Sequence, residues 1–252
     1  MSGPGLLRVP LGSIAAGVIA LPPEAASYVV RVHRLREGDR FVVFDPELGV
    51  EADATLESIG RRSAEARIEA PRPAALRPGR RVTWIQAVGK GDKMDAVVRD
   101  ATELGATRII PAISARSVAR PAEDRVQRWR RIAVEAARQC GRGDAPRVDA
   151  PMSLAAALVE ARAAPSTGGG ALGMCLDPYA ETPLGARLAA LTPGMEAAFA
   201  VGPEGGFTPE ELGVCAALGF ERARLGTLTL RTETVCAAAL GALIAVSDAR
   251  AG

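Results

Sequence analysis

Five apolar residues, Ala197 to Val201, run directly into Gly202-Pro203-Glu204-Gly205-Gly206-Phe207, and Thr208-Pro209-Glu210-Glu211 follows. The apolar run has the length and character of a buried strand. The glycines allow a tight turn in which bare backbone comes close to a neighbour. Thr208, Pro209 and Glu211 stand as N-cap, N1 and N3 of a capping box, so a helix starts here. Strand, glycine turn and helix in this order form the unit from which α/β proteins build ligand sites. The turn is neither a Walker loop nor G-x-G-x-x-G. Glu204 inside it repels a phosphate, so a neutral or cationic ligand is better tolerated. A tight turn with no ligand is the competing reading.

The pattern around this unit extends it to an architecture. Strand-like runs occur at Val82 to Val88, Thr107 to Ile113, Ala171 to Leu176 and Arg222 to Leu225. Helical periodicity occurs at Asp92 to Leu104, Glu123 to Cys140, Leu154 to Ala163, Glu210 to Leu218 and Glu233 to Asp248. Such alternation predicts a mostly parallel sheet covered on both faces. The residues before it read differently. Val29 to Val32, Arg40 to Phe44, Ala52 to Ile59 and Ser63 to Ala70 are short strand-like runs that predict a small β-barrel. Pro71 to Gly79, with three prolines and a glycine, reads as a linker. The boundary is placed at residues 1–73 and 74–252. Ser166-Thr167-Gly168-Gly169-Gly170 reads as a flexible loop, and no internal repeat is present.

A chain of 252 residues holds one large domain or two small ones. Its 48% hydrophobic and 24% charged content predicts a soluble globular protein. No apolar run reaches the roughly 18 residues of a membrane span, and the N-terminus lacks a signal-peptide pattern, so a cytoplasmic location is expected. Cys140, Cys175, Cys215 and Cys236 have no C-x-x-C spacing, and the single histidine cannot complete a zinc cluster. No metal is expected, and the thiols read as free in a reducing compartment. The histidine, His33, has no nucleophile motif near it and reads as a surface or half-buried residue.

Charge is spread unevenly: residues 1–75 carry −1, residues 76–150 carry +7 and residues 151–252 carry −4. A basic middle suggests an anionic partner, nucleic acid above all. A solvated helix face at Arg125, Arg128 and Arg131 is the plainer alternative. Only two of the 31 cations are lysines, Lys90 and Lys93, and both fall in one short turn. A second loop, Gly226 to Thr234, joins the last strand to an alanine-rich helix. Thr232 or Thr234 can cap that helix and Glu233 suits its first turn. Arg231 has no such structural reason, and it stands at a strand-to-helix junction, where ligand sites form in open sheets.

Five segments, in this order, resemble the bacterial RsmE methyltransferases, enzymes of the SPOUT class. They are Lys90-Gly91-Asp92-Lys93-Met94-Asp95, Ala101 to Ala106, Gln139-Cys140-Gly141-Arg142, Val201 to Phe207, and Leu230-Arg231-Thr232-Glu233-Thr234. With the barrel-like start, the similarity covers nearly the whole chain. The resemblance implies a SPOUT-type α/β domain with a parallel sheet and a C-terminal trefoil knot, preceded by a small PUA-like β-barrel that binds RNA. It implies S-adenosylmethionine as cofactor, methylation of uridine N3 in 16S ribosomal RNA, and a homodimer in which the partner completes each active site. Leu176, Val201, Gly202, Pro203, Glu204, Gly205, Leu225, Gly226, Leu230 and Thr234 then surround the cofactor. Arg231 faces the target base, Glu233 is a weak candidate for taking its proton, and Gln139 and Arg142 lie nearby. Arg8, Arg31, Arg34, Arg36, Lys90, Lys93 and Arg142 are the expected RNA contacts. The chain departs from the family at Thr227 and Leu228, where Pro and Arg are usual, at Val235 and Cys236, where small residues are usual, and at Arg138 and the Arg8-Val9-Pro10 start. A SPOUT enzyme acting on another RNA position and a non-catalytic ribosome-assembly protein are the alternatives. A nucleotide-binding oxidoreductase lacks its dinucleotide fingerprint here.

Overall fold

The computed structural model describes residues 6–117, 121–163, 171–192 and 194–248. The expected loop at 166–170 lies outside the described residues. The chain divides into two compact units, residues 1–77 with 134–145, and residues 78–133 with 146–252.

The first unit holds strands β1 (Arg8–Pro10), β2 (Gly17–Ala20), β3 (Arg40–Asp45), β4 (Val50–Ile59), β5 (Ala64–Ile68) and β6 (Arg72–Pro73). They pair in the order β1-β3-β4-β5-β2, with β6 on β4. Only β1 and β3 run parallel. Phe41, Val43, Ala52, Leu56, Ala66 and Ile68 alternate inward from β3, β4 and β5 and enclose one core with Val9 and Val29. Val29 to Val32, expected as a strand, is instead helical. Helix α1 (Pro23–Ser27) passes straight into a π-helical turn over Tyr28–Val32. Pro23 and Glu24 supply a helix start, and Ala25, Ala26 and Val29 are buried against the sheet, which outweighs the strand preference of the valines. The 134–145 segment folds onto this unit, where Ala145 N–H donates to the Pro46 carbonyl at 2.8 Å and the Arg138 guanidinium lies 4.3 Å from the Tyr28 ring centroid.

The second unit holds β7 (Val82–Ala87), α2 (Lys93–Glu103), β8 (Arg108–Ile113), α3 (Glu123–Cys140, up to Ala133 in this unit), β9 (Arg147–Val148), β10 (Met152–Ser153), α4 (Leu154–Ala163), β11 (Ala171–Leu176), α5 (Leu184–Leu188), β12 (Glu196–Val201), α6 (Pro209–Ala217), β13 (Phe220–Ala223) and α7 (Thr232–Asp248). All the strands run parallel, in the order β10-β8-β7-β12-β11-β13, with β9 on β8. The last expected strand lies two residues earlier than Arg222 to Leu225. Phe220 and Ala223 are its buried positions, and Gly219 in the left-handed region (φ 76°) sets its start.

Strand residues alternate between two cores. Trp84 and Phe199, with ring centroids 5.5 Å apart, face α2, α3, α5 and α7. Ile85, Ala198 and Ala200 face α4 and α6. Each large side chain buried this way contributes about 1.5–3 kcal/mol. Central strands buried on both faces explain why their sequences are continuous apolar runs. From β12 the chain crosses β11 to reach β13, and α7 then returns to pack on α2. Among the described residues no helix is long and apolar enough to cross a membrane.

Candidate active site

The ends of β11, β12 and β13 lie side by side at the carboxyl edge of the parallel sheet, where ligand crevices form. Three chain segments leave these ends and enclose a cavity of about 300 Å³. One continues from Leu176 through Asp177 and Pro178. The second is the glycine turn, contributing Val201, Gly202, Pro203, Glu204 and Gly206. The third is the last loop, contributing Leu225, Leu228, Thr229, Leu230 and Arg231, with Thr232 and Val235 from the start of α7.

The glycine turn is held from several directions. Gln86, only 2% exposed, donates from Nε2 to the Gly202 carbonyl at 3.3 Å while its Oε1 accepts from Trp84 Nε1 at 3.1 Å. A Cβ on Gly202 would lie 2.8 Å from the Gly206 carbonyl carbon and 2.9 Å from the Phe207 nitrogen, so only glycine fits there. Gly206 takes φ 69° and donates its N–H to the Pro203 carbonyl at 2.8 Å. The expected capping box is present. Glu211 N–H reaches Thr208 Oγ1 at 3.3 Å, and Thr208 N–H reaches Glu211 Oε2 at 2.9 Å. Glu211 does more than cap, because its Oε1 also accepts from Ala115 N–H at 2.7 Å.

Glu204 forms the acidic edge of the cavity. Lys93 Nζ lies 2.8 Å from its Oε1, and the Lys90 N–H points to the same oxygen at 3.3 Å. Burial opposes its ionisation, but the Lys93 ammonium and the backbone N–H groups prevail and hold its carboxyl below the usual range. Lys93, expected to touch RNA, is thus a wall of the cavity. Asp177 is the other carboxylate of the lining. It holds the Arg222 guanidinium at Nε (2.7 Å) and accepts from Tyr179 N–H at 3.0 Å.

Arg231 lines the cavity and is exposed, and its guanidinium has no partner among the described residues. Its carbonyl accepts the first hydrogen bond of α7, from Val235 N–H at 2.9 Å, so the backbone is fixed and the side chain is free. Thr232 and Thr234, expected as caps, are already inside the helix, which Arg231 precedes. Glu233 does not line the cavity. It faces α2, where burial pushes the Asp100 carboxyl up, Arg99 opposes, and the charge of Glu233 adds to the rise. Two residues separate Arg231 from Glu233, about 200° around a helix, so the Glu233 carboxylate is directed away from the cavity that Arg231 lines.

Seven of the residues expected around a cofactor line the cavity: Leu176, Val201, Gly202, Pro203, Glu204, Leu225 and Leu230. Gly205, Gly226 and Thr234 do not. Gly205 turns outward and its carbonyl accepts from Arg116, Gly226 serves the turn with φ 72°, and Thr234 is exposed on α7. Asp177 and Pro178 line the cavity without being expected there, although their place directly after a strand end is the signal that points to them. Val235 and Leu228 become lining only through the fold. Cys236, beside Val235, is buried with its Sγ 3.8 Å from the Val97 carbonyl, and burial pushes its thiol up.

The remaining expected contacts are not among the residues that line the cavity. Lys90 is exposed in the turn before α2. In the first unit, Arg31, Arg34 and Arg36 are exposed, as is His33, whose ring meets Tyr28 edge-on at 4.5 Å. Gln139 is exposed there too. Two arginines are engaged: Arg8 pairs with the buried Glu51 at 3.0 Å, and Arg142, 5% exposed, grips both oxygens of Asp144 at 3.1 Å. Both guanidinium groups therefore hold a carboxylate within the unit.

Apolar and backbone walls with both carboxylates paired, and one guanidinium at the edge without a partner among the described residues, suit a largely apolar ligand next to an electron-rich group. The comparisons define the class. Residues 77–244 match the family model of the RNA methyltransferase domain, and residues 21–69 match the RNA methyltransferase PUA domain. The fold is that of the SPOUT methyltransferases with a PUA-like N-terminal domain. The ribosomal RNA small subunit methyltransferase E of a Synechocystis species is 32% identical over 93% of this chain and 75% of that protein. Its Mycobacterium bovis counterpart is 34% identical over 86% and 82%. The crystal structure of the Neisseria gonorrhoeae counterpart, bound to S-adenosylmethionine, superposes with a TM-score of 0.83 at 30% identity, covering 96% of this chain and 98% of that one. The chain belongs to the ribosomal RNA small subunit methyltransferase E family.

Proposed function

We propose that this protein methylates N3 of a uridine in 16S ribosomal RNA, in the decoding region of the small subunit, with S-adenosylmethionine as methyl donor. The observation that carries the reading is the unpaired Arg231 guanidinium on the rim of a cavity whose other wall is the glycine turn. The residues fit the donor. Gly202 and Gly206 bring backbone to the cavity, Leu176, Leu225 and Leu230 supply apolar surface, and Lys93 and Arg231 are balanced by Glu204 and Asp177, so the lining carries no net charge to repel a sulfonium. When bound, S-adenosylmethionine supplies an electrophilic methyl group on a sulfonium.

Uracil N3 carries an imide proton and is a poor nucleophile while it keeps it. Arg231, donating to the adjacent carbonyl oxygens, favours the anion. One such donor is worth about 3–4 kcal/mol of barrier, and holding the two reactants in line contributes about 7–11 kcal/mol. Guanidinium does not act as the base, because it stays protonated. Of the lining carboxylates, Glu204 is committed to Lys93 and Asp177 to Arg222, so the imide proton goes to water.

The PUA-like unit, residues 1–77 with 134–145 rather than the expected 1–73, presents Arg31, Arg34 and Arg36 to RNA, and the cavity loops form the trefoil knot. The working form is a homodimer. Helix α7 is apolar around much of its girth, with Ile244 37% exposed, and Leu228 on the cavity rim is 76% exposed. Arg231→Ala should bind S-adenosylmethionine with wild-type affinity in calorimetry and lose about 10²–10³-fold in methyl transfer to small subunits. Undiminished transfer would sink the assignment.

A further inference from the structure

A second cavity, of about 710 Å³, is lined by Gly89 and Lys90, whose backbone meets Glu204 of the first cavity. It is lined by the turn from Val88 to Asp92 and by the first turns of α3, including Arg125, Arg128 and Arg131. The contact is close. A Cβ on Gly89 would lie 2.7 Å from Glu204 Oε2, so the turn runs as bare backbone against the acidic edge of the methyl-donor cavity.

Four cations line this groove against two carboxylates, Asp92 and Asp124. Two of the cations are fixed. Arg128 holds Asp95 at 2.6 Å, and Arg125 donates to the Gly91 carbonyl while lying 5.8 Å from the Trp129 ring centroid. The other two, Lys90 and Arg131, are exposed and have no side-chain partner among the described residues. No aromatic residue lines the groove and Trp129, on the same helix, is fully buried, so the groove offers no ring on which a base could stack. Its chemistry reads phosphate and leaves the base unread.

We propose that this groove seats the backbone phosphates of the RNA strand flanking the target uridine, with Lys90 and Arg131 as the phosphate ligands. Glu204 of the cavity lining touches the Gly89–Lys90 turn that lines the groove, so a strand held in the groove lies next to the cavity. The lysine pair of the turn thereby divides its work: Lys93 sets Glu204 in the cavity, and Lys90 meets RNA in the groove. This assignment rests on reading the neighbouring cavity as the methyl-transfer site.

The test is the salt dependence of binding to an unmodified 16S ribosomal RNA transcript, for the full-length protein and for Lys90→Gln/Arg131→Gln. Arg99→Gln, an exposed cation outside the groove lining, serves as the control for a general charge effect. Loss of two single-strand phosphate contacts lowers the slope of log affinity against log salt by about 1.4. Between 50 and 200 mM salt the wild type then loses about sevenfold more affinity than the double variant. Arg99→Gln should keep the wild-type slope, and all three proteins should bind S-adenosylmethionine equally. A slope unchanged in the double variant, or lowered as much by Arg99→Gln, would overturn the proposal. Because binding is read without turnover, a lowered slope in a protein that methylates no RNA would uphold the groove and refute the reaction assigned next to it.

Discussion

Replacing Gly202 by alanine tests whether the glycine turn is a built wall or an incidental bend. The added methyl would sit 2.8–2.9 Å from three backbone atoms, the Gly206 carbonyl carbon and Cα and the Phe207 nitrogen. None can swing aside as a side chain does. Moving them from 2.9 Å to the 3.4 Å of ordinary contact means a retreat of about 0.5 Å along the turn. Overpacking of this kind costs about 1–3 kcal/mol. Part of the strain falls on the cavity, because Gly202, Pro203, Glu204 and Gly206 all line it. Gly205→Ala is the contrast, since its Cβ would meet only the flexible Arg116 side chain, at 3.1 Å. Gly206→Ala stands between them, with open space but a left-handed backbone that costs about 1–2 kcal/mol. Calorimetric titration with S-adenosylmethionine, paired with urea unfolding, should rank the losses Gly202 > Gly206 > Gly205. For Gly202→Ala, affinity should fall about tenfold or more. Equal affinities across the series, with Gly202→Ala as stable as the wild type, would refute the reasoning.

Two further tests address the supports of the turn. Glu204 is held below the usual carboxylate range, so its pairing with Lys93 stabilises the fold above that range and is lost as pH falls through its lowered value. The melting temperature of the wild type should therefore fall more steeply than that of Glu204→Gln on acidification below about pH 4.3, whereas parallel curves would count against the pairing. Thr208→Ala should cost about 1 kcal/mol in urea unfolding. Since Thr208 and Glu211 bond each other twice, the double alanine variant should lose less than the sum of the single losses, and full additivity would contradict the geometry.

Much of the fold was legible because local chemistry and tertiary demand agree. α6 begins where Thr208, Pro209 and Glu211 require it, and α3, α4 and β11 occupy the spans their patterns indicate. Legibility failed where the two compete. The valines at 29–32 favour a strand by propensity, but the α1 start and burial of Val29 make them helical. α5 is only five residues long, too short for periodicity to show. In the site, Leu176, Val201, Gly202, Pro203 and Glu204 are legible at strand ends and in the glycine turn, whereas Asp177, Pro178 and Gly206, which line the same cavity, are not among the residues expected around the cofactor. Lys93 was read by its charge as an RNA contact, although its partner, Glu204, lies more than a hundred residues away in the chain. Glu233 suits the first turn of its helix by charge, and its proximity to Arg231 in the chain suggests a part in proton removal, but the helix that begins between them turns it toward α2.

The central claim is the atom that receives the methyl group. Small ribosomal subunits from a strain lacking this enzyme, incubated with the protein and S-adenosylmethionine and analysed by nucleotide-resolved mass spectrometry, test it directly. The account predicts one new methyl group, on N3 of a uridine in the decoding region of 16S ribosomal RNA, and none with Arg231→Ala. A methyl group on a ribose 2′-hydroxyl or another base, or none with the wild-type protein, would contradict it.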